Sequence, residues 1–128
     1  MANLEGTRVL VIDDSPDMRH LMSGWIASTG ATVFEAEGGE QGLHLARSKR
    51  PHVIFCDLKM PMVDGFGFME MLTHDHELCR TPVLVVSGEI GDVAIRQTWE
   101  AGFAGHLVKP VTKAAVLAQL ERVFWSHR

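Results

Sequence analysis

"VLVIDDSPDM", from Val9 to Met18, sets two adjacent aspartates, Asp13 and Asp14, at the tip of the apolar run Val9-Leu10-Val11-Ile12. A short run rich in Val, Ile and Leu, without polar alternation, reads as a strand buried on both faces. Ser15 then supplies an N-cap oxygen, Pro16 suits the first helical position, and Asp17 falls in the first turn. The stretch is therefore strand, acidic loop, helix. Neighbouring carboxylates repel, so the loop is either simply solvated or built to receive a positive charge.

Working outward, the same rhythm repeats. Apolar runs occur at Arg8–Ile12, Thr32–Ala36, His52–Cys56, Pro82–Val86 and His106–Val108. Between them lie segments with helical spacing. The first carries Met18, Leu21, Met22, Trp25 and Ile26 on one face, with Gly30 as terminator. The second runs from about Gly39 to Ser48, ahead of Pro51, which forbids continuation. Others cover about Phe66–His74, Asp92–Ala101 and Lys113–Trp125, the last with Thr112 as cap. Five strand–helix units in alternation predict a parallel sheet with helices on both faces.

Composition narrows the function. A chain of 128 residues suits one domain, and 46% hydrophobic with 22% charged residues is the balance of an ordinary globular protein. A net charge of -4 argues against nucleic acid as a partner, which would require a basic face. No apolar run reaches the ~18 residues of a membrane span. Acidic residues come too early for a signal peptide, so the expected location is the cytoplasm. Cys56 and Cys79 lack zinc-type spacing; Cys56, at the end of an apolar run, reads as a small buried hydrophobe. The five units use up the chain, so residues 1–128 are expected to be a single domain with no effector domain attached.

In a doubly wound sheet, ligands gather beyond the carboxyl ends of the strands, where the strand order reverses. The strand-end residues here are Asp13 and Asp14, Asp57 in "VIFCDLKMPMVDG", Ser87 in "VLVVSGE" and Lys109 in "GHLVKP". The order 2-1-3-4-5 would make strands one and three neighbours, bringing three carboxylates together. Such an all-oxygen cluster suits Mg²⁺. Asp57 could then serve as nucleophile and form an aspartyl phosphate. Mg²⁺ would offset the phosphoryl charge, Lys109 would offer an ammonium, and Ser87 a hydroxyl donor. A lone strand-end Asp is usually only a polar terminator, and a lone Lys before Pro only a surface residue. Their joint occurrence at four strand ends argues for a site.

The motifs "VIDDSP", "DLKMPMVDG", "VLVVSGE" and "LVKP", in this order, make the chain resemble a response-regulator receiver domain of two-component signalling, of the single-domain chemotaxis type. The likeness runs from about Arg8 to Phe124. It implies a flavodoxin-like fold, with Asp13 and Asp14 holding Mg²⁺, joined by Asp57 and the backbone carbonyl of Lys59. It implies that Asp57 accepts a phosphoryl group from a histidine kinase or histidine phosphotransfer protein, after which Ser87 and Lys109 engage it. It also implies a cis bond between Lys109 and Pro110. The usual output face in this family, formed by helix 4, strand 5 and helix 5, would contact a downstream protein target. Ile95 and Trp99, at i and i+4 on helix 4, either face the core, the default for an apolar pair, or lie on that face, where Trp99 would be an anchor.

Two positions depart from the family pattern. His106 stands where such receivers commonly carry Phe or Tyr as a rotating switch. An imidazole moving inward there would prefer to be neutral. Lys59 borders the path of attacking water, and Glu89 faces the same rim, so the two are expected to pair above the site. The "THDHE" stretch reads as a solvated loop at a helix end. Met60, Met62 and Met69 are expected to pack the loop after strand three. Rival functions fail on particular residues. A haloacid-dehalogenase-type phosphatase needs Asp-x-Asp-x-Thr, and a flavodoxin-like electron carrier needs a first loop rich in Ser and Thr. A degenerate receiver that binds partners without phosphorylation, or a receiver excised from a larger regulator or hybrid kinase, are the remaining alternatives.

Overall fold

Successive residues of each central strand feed opposite cores. From β1 (Arg8–Ile12), β3 (Val53–Asp57) and β4 (Val83–Ser87), the side chains of Leu10, Ile12, Ile54, Cys56, Val83 and Val85 enter one core. Val9, Val11, Val53, Phe55, Leu84 and Val86 enter the other. This double burial explains the missing polar alternation. Each large apolar side chain so buried contributes about 1.5–3 kcal/mol relative to exposure.

The computed structural model describes residues 3–88 and 91–127. The remaining elements are α1 (Pro16–Ala27), β2 (Thr32–Ala36), α2 (Gly39–Lys49), α3 (Gly65–Thr73), α4 (Asp92–Ala101), β5 (Gly105–Val108) and α5 (Lys113–His127). All five strands are parallel, in the order β2-β1-β3-β4-β5. Met22 and Ile26 of α1 pack with Val116, Leu120 and Val123 of α5 on one face of the sheet. Leu43 and Ala46 of α2 pack with Phe68 and Leu72 of α3 on the other.

The caps follow the sequence. Ser15 Oγ accepts from Met18 N at 3.4 Å, and Thr112 Oγ1 from Ala115 N at 3.1 Å. After α1 the chain turns through Gly30 at φ +94°, a left-handed backbone that glycine adopts without a steric cost. After α2 the left-handed residue is Arg50, at φ 52°.

Four expectations need correction. The third and fourth strands begin and end one residue later than their apolar runs, so Asp57 and Ser87 lie inside the ladder. Asp57 stands opposite Val86, and Ser87 opposite Val108. Ladder bonds are backbone bonds and do not stop where side chains turn polar. Edge strand β2 is only partly buried, because one flank has no neighbouring strand. Leu21 lies on the outer side of α1, exposed rather than on the packed face. Met62, at φ 70°, is 96% exposed, whereas Met60 and Met69 are buried as expected.

Candidate functional site

The strand order brings the site together. Ile12 of β1 lies opposite Cys56 of β3, so Asp13 and Asp57 follow side by side. Asp13 N continues the ladder onto Ala36 O at 3.1 Å, and Asp13 Oδ1 accepts from Ser15 N at 2.8 Å. Beyond β5, Lys109 N donates to Ser87 O at 2.9 Å, which holds the lysine beside β4. Its Nζ lies 3.0 Å from Asp57 Oδ1. The Lys109–Pro110 bond is cis, as the resemblance implied.

Asp13, Asp14 and Asp57 each offer an oxygen, and these lie within 4.8 Å of one another. Asp13 is 1% and Asp57 3% exposed, while Asp14 is open to solvent. Burial raises the pKa of Asp57 to about 6, with Asp13 adding to the rise and the Lys109 hydrogen bond opposing it. Burial also raises that of Asp13, against the hydrogen bond from Ser15 N. The donor set is all oxygen, anionic and reachable through Asp14. It fits Mg²⁺, which takes a few carboxylates and keeps its own waters.

The loop after β3 closes tightly behind the site. Gly65 N donates to Leu58 O at 2.8 Å, and a Cβ on Gly65 would come within 2.9 Å of Asp57 O and Leu58 Cα. Glycine is therefore required in the "DG" pair, and Asp64 caps α3 through Gly67 N at 2.8 Å. Lys59, two residues beyond Asp57 in the chain, is exposed. Glu89, its expected partner, lies outside the described residues.

Ser87 is buried at the end of β4. His106 is half-buried against α4, its Nδ1 3.4 Å from Thr98 Oγ1. Thr98 Oγ1 donates to Ile95 O at 2.6 Å, so the His106 contact fits an Nδ1–H tautomer. Nε2 of His106 is buried without a hydrogen-bond partner among the described residues. Ile95 is half-buried and Trp99 is 53% exposed. Sequence reasoning missed Arg19, whose Nη1 donates to Asp13 O at 2.9 Å, and its partner Glu35. Nothing in the spacing of these residues announces them.

A five-stranded sheet of this order, with acidic loop, central Asp and Lys–cis-Pro at its carboxyl end, defines a phosphoacceptor of two-component signalling. The response regulator receiver domain matches residues 9–121, and the chain belongs to that family. It is similar to Protein PilH of Pseudomonas aeruginosa, 32% identical over 118 residues, which cover 91% of this chain and 96% of PilH. It is also 32% identical to the Regulator of RpoS of Escherichia coli K12, over 84% of this chain but only 32% of that protein. The solved chemotaxis response regulator CheY4 of Vibrio cholerae superposes with a TM-score of 0.87 at 31% identity, covering 91% of this chain and 98% of CheY4. The chain is thus a signalling phosphoacceptor that works through protein contacts, not an enzyme of ordinary substrate turnover. The degenerate-receiver alternative finds no support among these relatives. Among the described residues no helix is long and apolar enough to cross a membrane.

Proposed function

We propose that Asp57 accepts the phosphoryl group from a phosphohistidine of a kinase or phosphotransfer protein, with Mg²⁺ held by Asp13, Asp14, Asp57 and the Lys59 carbonyl. The observation that carries this reading is the buried Asp57 carboxylate, raised in pKa, in contact with Lys109 and clustered with two further aspartates. A carboxylate oxygen of Asp57 attacks phosphorus in line, the P–N bond breaks, and the electron pair leaves with the imidazole, which takes up a proton. The metal, when bound, neutralises charge on the phosphoryl oxygens and the carboxylates together. Lys109 exchanges its bond to Asp57 Oδ1 for one to a phosphoryl oxygen, and the Ser87 hydroxyl donates to another. Self-catalysed phosphorylation and slow hydrolysis belong to the same proposal. So does a cytoplasmic location, beside the kinase that supplies the phosphohistidine.

For output, movement of Ser87 toward the phosphoryl group would free the space into which His106 turns. The buried Nε2, which has no hydrogen-bond partner among the described residues, supports such mobility. The half-buried Ile95 and exposed Trp99 on α4 support a protein target docking on the α4–β5–α5 face. Near-complete overlap with PilH supports action as a receiver by itself.

Incubation with Mg²⁺ and acetyl phosphate tests the acceptor. The protein should gain one base-labile phosphoryl group, seen by mass spectrometry, and Asp57→Asn should gain none. Equal labelling of that variant would contradict the assignment.

A further inference from the structure

We propose that Arg19, braced by Glu35 on the neighbouring strand, is the positioning residue for the metal-binding aspartate Asp13; the inference rests on the metal reading above. Asp13 is the first residue beyond β1. Its N–H still finds a ladder partner, Ala36 O, but its carbonyl lies past the end of the paired strand. A backbone carbonyl in a residue only 1% exposed needs a donor from elsewhere. Arg19 supplies it, with Nη1 at 2.9 Å.

The Arg19 side chain is itself only 11% exposed, so its charge needs a counter-charge. Glu35 provides it, with Oε1 3.2 Å from Arg19 Nε. The same oxygen takes a second contact from His20 Nδ1 at 2.8 Å, which fixes the carboxylate from its outer side. Glu35 stands opposite Val11 in the β1–β2 register, so the brace is tied to the strand that delivers Asp13. Asp13 is thereby held at its N–H, its carbonyl and, through Ser15 N, its Oδ1.

Position and charge make opposite demands on Arg19. A cation this close also repels Mg²⁺, and its charge lowers the Asp13 pKa, as the smallest of the effects acting there. If Arg19 acted only as a charge, its removal would tighten Mg²⁺ binding. If it positions Asp13, removal loosens the ligand and weakens binding, as loss of groups that orient metal ligands generally does. The fork geometry decides for the second. Two nitrogens of one rigid plane reach a carbonyl and a carboxylate at once, which a lysine ammonium on a flexible stem cannot reproduce.

The test follows Mg²⁺ titrations by the amide chemical shift of Asp14, with hydrogen exchange of the Ser15 amide measured in metal-free protein. Arg19→Met should weaken Mg²⁺ about tenfold, as should Glu35→Ala. Arg19→Lys, with charge kept and fork lost, should recover little of the affinity. In metal-free protein the Ser15 amide should exchange about tenfold faster in both Arg19→Met and Glu35→Ala, with melting temperature and core amides nearly unmoved. Should Arg19→Met fail to fold, Glu35→Ala carries the same test. Unchanged or tighter Mg²⁺ binding in these variants, beside a weakened Asp14→Asn, would overturn the positioning role and leave the metal reading intact. Wild-type titration of Asp14→Asn would overturn the metal reading itself. Ser15 exchange would then judge Arg19 alone, and unchanged exchange would refute it.

Discussion

The two ends of the sheet treat charge in opposite ways. At the amino ends of the strands, Arg47 Nε meets Asp75 Oδ2 at 3.0 Å, Arg50 pairs with Glu77, and Arg8 donates to the carbonyls of Lys49 and Arg50. Charges there are matched and mostly wet. At the carboxyl ends, three carboxylates crowd together, two of them buried, with the Lys109 ammonium in contact with Asp57. Two residues of the same type accordingly shift in opposite directions. The hydrogen bond from Arg47 lowers the pKa of Asp75, whereas burial raises that of Asp57 to about 6. One end is electrostatically satisfied; the other stores repulsion that a bound cation can relieve.

The largest effect expected from this contrast is on stability in chelator. Asp57 has a folded pKa of about 6, above the ordinary 3.8. Its protonated form is thus favoured by folding, so its contribution is fully present below pH 3.8 and lost as pH rises through 6. Asp57→Asn should therefore melt higher than the wild type at pH 7.5. The gap should be on the order of 3 kcal/mol, about 10 °C, and should vanish below pH 4. A variant that melts lower at pH 7.5 would mean that the Lys109 contact outweighs burial.

A smaller effect belongs to the rim. Lys59→Ala should change the lifetime of the phosphoryl group severalfold, measured as loss of label after donor removal, while melting stays nearly constant. Exposed charges contribute only about 0–1 kcal/mol to stability, so their trace should appear in kinetics. Identical lifetimes would remove Lys59 from the path of water. The smallest effect lies at the satisfied end. Arg47→Ala should lower the melting temperature by no more than about 2 °C, less in high salt, and leave phosphorylation untouched. A change in labelling rate there would show that the two ends communicate.

Much of this was readable in the sequence, for physical reasons. Residues buried on both faces give a continuous apolar run, so β1 was located with its bounds, and Ser15 and Thr112 announced their helices through capping chemistry. Asp13, Asp14, Asp57 and Lys109 were expected together because a parallel sheet gathers side chains beyond its strand ends, and the structure brings them together there. The last strand residues were misplaced, since a ladder of backbone bonds runs through Asp57 and Ser87 regardless of polarity. Arg19 and Glu35 were invisible because their contact depends on the tertiary register of an edge strand. The exposure of Met62 depends on a left-handed backbone that no flanking residue signals.

The most direct test of the stored repulsion is a carbon-13 NMR titration of the Asp57 carboxyl, with and without Mg²⁺. In chelator it should titrate near the value of about 6 that its burial gives. With saturating Mg²⁺ the midpoint should fall well below that, because the cation favours the ionised form. An Asp57 that titrates at the ordinary 3.8 in chelator, and is unmoved by Mg²⁺, would contradict the account.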